Sequence, residues 1–226
     1  MRSMFDRIAP RYDLLNRLLS GGTDVRWRRR CVDLLQLAPG ARVLDLCTGT
    51  ADLLLEWLVR DGRNSGVGAD LSGAMLTRAR AKLCRRVGPA RTQLAAGDAE
   101  RLPLSDEAFD GVMVAFGIRN VGDAPAALRE VLRVLKPGGC LVVLEFSMPQ
   151  GLLGAGYRLY FGRILPVIGG VVSGDPGAYA YLPASVARFA RPQEFGALMT
   201  GAGFADVSWQ PLTAGIAHLY RGVRPS

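Results

Sequence analysis

The stretch that decides the fold is VLDLCTGTAD, residues 43–52. Its apolar start predicts a short buried β-strand, and the small residues after it predict a tight turn into a helix that begins near Asp52. Because Gly49 has no side chain, a ligand can approach the backbone there, and the helix N-terminus offers N–H donors. The turn lacks a G-x-G opening and has Ala51 instead of a third glycine, so a phosphate-cradling dinucleotide site fits poorly. An ordinary strand-to-helix turn is the alternative.

Short apolar strands and amphipathic helices alternate on both sides of this turn. After a first strand at 42–46, the pattern predicts strands at 66–69, 93–96, 111–115 and 141–146. A helix begins at Asp123 and Pro125 and stops at residues 136–139. Two later runs, 207–210 and 216–220, predict a closing β-hairpin antiparallel to the rest. The expected fold class is α/β, a Rossmann-like sheet of five parallel strands plus this hairpin, with helices on both faces.

Composition limits the architecture and the classes of partner. The chain has 226 residues, 49% of them hydrophobic, and a formal net charge of +8, which suits one domain with a basic surface. Such a surface fits nucleic acid, anionic lipid headgroups or simple solubility. The four cysteines form no CxxC pair, so no metal site is expected. The start of the chain lacks the apolar run of a secretory signal, so we expect a cytoplasmic location with free thiols.

Acidic residues follow the second and third predicted strands. Asp70 can accept hydrogen bonds from both hydroxyls of a ribose, and Asp98 can accept one from the exocyclic amine of adenine, with Ala99 beside it. The alternatives are a helix cap at Asp70 and a solvated loop acid at Asp98. Together with the turn at Gly49, these acids indicate a nucleoside ligand without a phosphate requirement, and S-adenosylmethionine is such a ligand.

Two helix-like pieces rich in Leu and Arg precede the first strand. Asp13 is the expected cap of one helix, and Asp24 that of another, which carries Trp27 and the arginines of residues 26–30. We expect this segment to form a helical lid at the carboxyl ends of the strands. A non-catalytic module that reads RNA through residues 26–30 and 85–86 is an alternative, but Trp27 is the only aromatic residue among these arginines, and a base-stacking surface needs several.

The chain as a whole resembles the seven-stranded methyltransferases. More narrowly, it resembles the C-methyltransferases that act late in menaquinone and ubiquinone biosynthesis. The motifs that carry this resemblance are FGIRNV (116–121), RVLKPGG (133–139) and LEFS (144–147). The amino end, at 4–9 and 12–16, and the later pieces 179–183, 188–189 and 202–204 are also similar to that family. The resemblance implies S-adenosylmethionine as the cofactor. It implies cofactor contacts at Thr50, Asp70, Asp98 and Ala99, and we expect Asp45, Gly49 and Ala115 to be further cofactor-binding residues. The chain departs from the family at Ala51, where many relatives have glycine, and at Ala115, where some have serine.

The resemblance implies that the methyl acceptor is a ring carbon of a reduced, prenylated quinone. Demethylmenaquinol is the expected acceptor; a polyprenyl benzoquinol, another small molecule or an RNA is the alternative. We expect Arg119 to stabilise the developing phenolate and Asn120 to orient the ring oxygen, with Tyr12 a further candidate at the acceptor end. A solvated arginine and helix caps are the structural alternatives. His218, the only histidine, lies in the predicted closing strand, which favours a structural or surface role.

The expected division is a lid at 1–38, a cofactor-binding core at 39–148, an apolar insert at 149–190 that covers the substrate, and a closing helix and hairpin at 191–226. Arg158 and Arg163 interrupt the insert, so it is too short to span a bilayer. Its apolar residues suit a prenyl tail, and transient contact with an anionic membrane surface is expected. A homodimer is left open, and no nucleic-acid partner is expected.

Overall fold

The computed structural model describes residues 20–149 and 183–226. Tyr12, the helix predicted at Asp13 and most of the apolar insert lie outside the described residues. Within the described ranges, no helix is long and apolar enough to cross a membrane.

Helices and strands alternate along the chain in the predicted order. The first half contains α1 (Thr23–Leu35), β1 (Arg42–Leu46), α2 (Asp52–Leu58), β2 (Ser65–Asp70), α3 (Gly73–Arg86) and β3 (Thr92–Ala96). The second half contains β4 (Phe109–Ala115), a 3₁₀ turn (Ile118–Asn120), α4 (Ala124–Val134), β5 (Leu135–Phe146), α5 (Pro192–Ala202), β6 (Ala205–Leu212) and β7 (Ala217–Val223). Residues 183–188 are also helical.

The strands form one seven-stranded sheet in the order β3-β2-β1-β4-β5-β7-β6. The first five strands are parallel, and β7 pairs antiparallel with both β5 and β6. The predicted α/β class and the closing hairpin are therefore confirmed. Within the hairpin, β7 is the reversed strand, because β6 runs in the same direction as the first five.

The sheet is covered on both faces by helices with apolar sides. One face packs on α1, α2 and α3, and the other packs on α4 and α5. β1 lies between β2 and β4, and its four apolar or acidic residues after Arg42 are all buried. Because the chain order reverses on either side of β1, its carboxyl end marks the topological switch point where such sheets bind ligands.

Two predicted helix signals act differently from expectation. Asp24 does not cap α1: Gly22 occupies the N-cap, and the buried Asp24 carboxylate accepts hydrogen bonds from Ser20 Oγ at 2.7 Å and Arg28 Nη1 at 2.6 Å. Since Arg28 is itself buried, the arginine cluster considered for RNA does not form one exposed face. The stop signal at 136–139 lies inside β5, where a register shift separates two paired regions of β4 and β5.

Gly66 on β2 lies where α2 and β1 pack closely against the second strand. A Cβ atom there would lie 2.7 Å from Leu54 Cδ1 and 2.9 Å from the carbonyl oxygen of Val43. Gly66→Ala should therefore lower the free energy of unfolding by about 1–3 kcal/mol, measured by urea denaturation. Gly201→Ala is the control: no atom lies within 4 Å of its added methyl group, so stability should stay constant or rise by up to about 1 kcal/mol. Equal stabilities for Gly66→Ala and the wild type would contradict this packing.

Candidate functional site

A cavity of about 220 Å³ opens at the carboxyl ends of β1 to β4. The residues after these four strands supply its walls, so the sheet itself brings together segments that are far apart in sequence. Of the predicted site residues, the cavity is lined by Gly49, Asp70, Asp98, Ala99, Ala115 and Asn120. Cys47, Leu71, Met75, Phe116 and Val121 add apolar or weakly polar surface to it.

The turn after β1 has an unusual backbone. Cys47, Gly49 and Ala51 all have positive φ angles, of 56°, 56° and 65°. Ala51 is completely buried in this left-handed conformation and forms the N-cap of α2. Glycine adopts such a conformation without a Cβ penalty, so the alanine at this position is strained.

Asp70 joins the turns after β1 and β2. One carboxylate oxygen accepts a hydrogen bond from the backbone N–H of Gly49 at 2.8 Å, and the other accepts one from Ser72 N–H at 2.8 Å. The cap of α3 is Ser72, whose hydroxyl accepts from Met75 N–H at 3.1 Å, and not Asp70. Asp70 lines the cavity, and a carboxylate accepts hydrogen bonds from hydroxyl donors, so its chemistry suits the hydroxyls of a ribose.

Asp98 and Ala99 form the wall after β3. Asp98 Oδ1 accepts a hydrogen bond from Glu100 N–H at 3.0 Å, which fixes the turn, and Ala99 is buried beside it. Leu71 also lines the cavity and is 50% exposed, although it is a large apolar residue. An acid beside two apolar surfaces suits an adenine ring with its exocyclic amine, so the residues present fit an adenosine group.

Two predicted cofactor contacts lie behind the cavity and do not line it. The buried Asp45 accepts hydrogen bonds from Thr48 Oγ1 at 2.5 Å and from Leu54 N–H at 3.0 Å. Burial raises the pKa of Asp45 from 3.8 to about 7. Thr50 is also buried, and its hydroxyl accepts from Lys82 Nζ at 3.0 Å. Both residues therefore support the turn after β1 from the protein side.

The Arg119 side chain is buried in an ion pair. It is therefore not the solvated loop arginine that was the structural alternative. Its Nη1 lies 2.7 Å from Glu145 Oε1, and the exposed fractions of the two side chains are 7% and 0%. The side chain lines a second cavity with Ser185, Arg188 and Phe189, and the two cavities share Val121 and Gly122. Asn120, one residue further on, lines the first cavity.

Glu145 is a residue that the sequence reasoning missed. The signal was an acidic residue inside the apolar strand 141–146, since a buried carboxylate requires a partner. Burial raises the pKa of Glu145, and the nearby Arg119 charge opposes that rise.

Aromatic rings and a glycine pack together where the turns after β1 and β4 meet. Phe116 stacks on Phe146 with ring centroids 4.4 Å apart, and Trp27 of α1 packs against both rings. A Cβ on Gly117 would lie 2.3 Å from Cys47 Cβ. The turns after β1 and β4 can approach this closely only because residue 117 has no side chain.

His218 lies on β7 opposite Glu145 and does not line the first cavity. Its Nδ1 lies 2.8 Å from Ser147 Oγ, and that hydroxyl donates its proton to the carbonyl oxygen of Gly215 at 2.6 Å. His218 Nδ1 therefore donates, and burial lowers the pKa of the ring. This arrangement agrees with a structural role.

Comparisons with known proteins identify similar chains over nearly the whole length. The model of the ubiE/COQ5 methyltransferase family matches residues 1–224. The chain is 52% identical over 224 residues to a demethylmenaquinone methyltransferase of Thermus thermophilus, covering 98% of this chain and 100% of that protein. It is 48% identical over 225 residues to the ubiquinone/menaquinone biosynthesis C-methyltransferase UbiE of Geobacter sulfurreducens, covering 98% and 87%. A demethylmenaquinone methyltransferase of Deinococcus radiodurans is 46% identical over 223 residues, covering 98% and 91%.

Solved structures share the fold at lower identity. A SAM-dependent methyltransferase from Thermotoga maritima matches with a TM-score of 0.70 and 23% identity, covering 99% of both chains. The [4+2]-cyclase SpnF matches with a TM-score of 0.74 and 18% identity, covering 99% of this chain and 94% of that one. These likenesses concern the fold alone.

Asp45 should make the stability depend on pH. An acid whose pKa is raised on folding contributes stability below its unfolded pKa, and that contribution is lost as the pH rises through the folded pKa, here from 3.8 to about 7. We expect the free energy of unfolding to carry a falling contribution of at most about 1.4 kcal/mol per pH unit in this range. Asp45→Asn should remove that contribution, measured by urea denaturation at several pH values.

Asp61→Asn is the control for this measurement. The Arg63 side chain and backbone lower the pKa of Asp61 from 3.8 to about 2, so its contribution to stability changes below and around pH 3.8 and is constant over most of the Asp45 range. The Asp61 variant should therefore keep the wild-type slope. A wild-type slope in Asp45→Asn as well would contradict the assignment.

Proposed function

The chain belongs to the ubiE/COQ5 methyltransferase family, and on this premise we propose that it methylates a ring carbon of a prenylated hydroquinone, converting demethylmenaquinol to menaquinol. The methyl donor is S-adenosylmethionine, as in the family to which the chain belongs. The observation that carries the proposal is the 52% identity over the full length of a demethylmenaquinone methyltransferase.

The donor fits the first cavity by its chemistry. The carboxylate of Asp70 would accept the ribose hydroxyls, and Asp98 would accept the adenine amine, with Leu71 and Ala99 against the ring. Gly49 and Ala115 would contribute backbone and packing contacts, since neither has a polar side chain. Asp45 and Thr50 would support this site indirectly, through the turn that contains Gly49.

S-adenosylmethionine, when bound, supplies a methyl group on a positively charged sulfur. The chain's own part is to align the acceptor, exclude water and stabilise the phenolate that forms when the hydroquinone loses a phenolic proton. Arg119 carries the positive charge suited to that oxygen, and the amide of Asn120 can donate a hydrogen bond to a ring oxygen. The packed rings of Phe116, Phe146 and Trp27 would keep water from this side.

A prenylated acceptor would explain the apolar insert and the positive net charge of the chain. In this proposal, residues 149–190 cover the tail, residues 1–38 form the lid, and the net charge of +8 attracts the protein to an anionic membrane surface. Residue Tyr12 would approach the acceptor from the lid.

A product assay tests the acceptor. Incubation with methyl-labelled S-adenosylmethionine and chemically reduced demethylmenaquinone should give labelled menaquinol, identified by mass spectrometry. Oxidised demethylmenaquinone is the control and should give no product, because it has no phenolic proton to lose. Label in a reduced polyprenyl benzoquinone, and none in demethylmenaquinol, would establish the ubiquinone alternative; label in neither would refute the proposal.

The role of Asp70 predicts a loss of cofactor affinity. Asp70→Asn removes the negative charge and presents an amide N–H₂ to backbone donors, so Kd for S-adenosylmethionine should rise by roughly 10- to 100-fold in calorimetry. Asp206→Asn makes the same chemical change at an exposed position on β6 and should leave Kd constant. An unchanged Kd in Asp70→Asn would contradict the proposed ribose contact.

A further inference from the structure

Glu145 is a fully buried carboxylate at the carboxyl end of β5, next to the first cavity's wall but outside its lining. Its Oε1 accepts hydrogen bonds from Arg119 Nη1 at 2.7 Å and from the backbone N–H of Phe146 at 2.8 Å. Its Oε2 accepts one from the backbone N–H of Arg119 at 3.3 Å. The carboxylate therefore holds both the side chain and the main chain of Arg119.

The Arg119 guanidinium is fixed on two of its three nitrogen atoms. Nη1 donates to Glu145 and to the carbonyl oxygen of Phe116, and Nε donates to Ser185 Oγ at 3.3 Å. Its Cζ lies 5.6 Å from the ring centroid of Phe146. Nη2 makes no hydrogen bond within residues 20–149 and 183–226, so one edge of the planar fork is left for another acceptor.

The buried pair needs an explanation other than stability. Removing two charges from water is costly, and well-packed apolar residues often replace a buried ion pair without loss of stability. What an ion pair supplies is a charge in a fixed position and orientation. Here that charge lies beside the 3₁₀ turn, Ile118–Asn120, whose last residue lines the first cavity.

We propose that Glu145 is the positioning residue of the methyl-transfer site: it holds Arg119 so that the unbonded Nη2 edge faces the phenolate oxygen of the acceptor. The inference rests on the proposed function, since it assumes a hydroquinone acceptor. Glu145 itself does not touch the acceptor and acts through Arg119. A lysine cannot replace this arginine, because a single ammonium group cannot hold Glu145 with one edge and offer a second edge in the same plane.

Tyr220 provides a matched control in the same region. It pairs with Val143 while Glu145 pairs with His218, so Tyr220 and Glu145 are diagonal neighbours on one face of β5 and β7. The buried Tyr220 hydroxyl has no hydrogen-bond partner among the described residues. Tyr220→Phe therefore changes the surroundings of Glu145 without removing a contact to Arg119.

A double-mutant cycle tests the proposal. Glu145→Gln, Arg119→Lys and the double variant are compared with the wild type by kcat and KM, by Kd for S-adenosylmethionine and by thermal unfolding, using the hydroquinone that the wild type turns over. Glu145→Gln should lower kcat by roughly 10- to 100-fold and leave Kd for S-adenosylmethionine unchanged. In the Arg119→Lys background, Glu145→Gln should cause no further loss of kcat, because its effect passes through Arg119. Tyr220→Phe should keep the wild-type kcat.

Three results would overturn the proposal: the same fold-loss from Glu145→Gln in both backgrounds, a rise in Kd for S-adenosylmethionine that parallels the loss of kcat, or an equal loss in Tyr220→Phe. If Glu145→Gln does not fold, the cycle is run with Glu145→Asp, which keeps the charge but draws it back by one methylene group, and the same outcomes decide. Failure of the proposed function is separate, because it appears as a wild type that turns over a different acceptor class.

Discussion

The two hydrogen bonds to the buried carboxylate of Asp45 are the interaction on which the site depends. They tie Thr48 and the backbone of Leu54 to the end of β1, and so fix the turn that leads into α2. The left-handed backbone of this turn directs the N–H of Gly49 to Asp70 on the next strand. The buried side chain of Asp45 therefore helps to position the carboxylate of Asp70 in the cavity. The same burial raises the pKa of Asp45.

The site has opposite charges on its two sides. Asp70 and Asp98 line the first cavity, whereas Arg119 lines the second one. A cationic donor suits the acidic side, and an acceptor that becomes negative suits the basic side. The segment from Phe116 to Gly122 lies between the two cavities. Glu145 holds this segment through its hydrogen bonds to the backbone and the side chain of Arg119. The geometry thus agrees with a reaction between a sulfonium and a phenolate.

Much of the fold and part of the site follow from local sequence. The five parallel strands and the cap of α4 at Asp123 are where period and capping signals predict them, because these signals act between residues close in sequence. Asp70 and Asp98 face the cavity because the carboxyl ends of parallel strands meet at one edge. The helix cap at Asp24 was wrong, since Arg28 in the next turn binds the same carboxylate.

By itself, the sequence determined the fold class, the family and the edge of the sheet where the first cavity opens, because strand order and strand ends follow from local patterns and from motifs. The tertiary structure decided which polar groups face that edge. In the fold, Asp45 and Thr50 are buried and do not line the cavity. Arg119 pairs with Glu145, 26 positions away in the chain. The physical reason is that burial and ion pairing depend on neighbours from other strands, which no local pattern specifies.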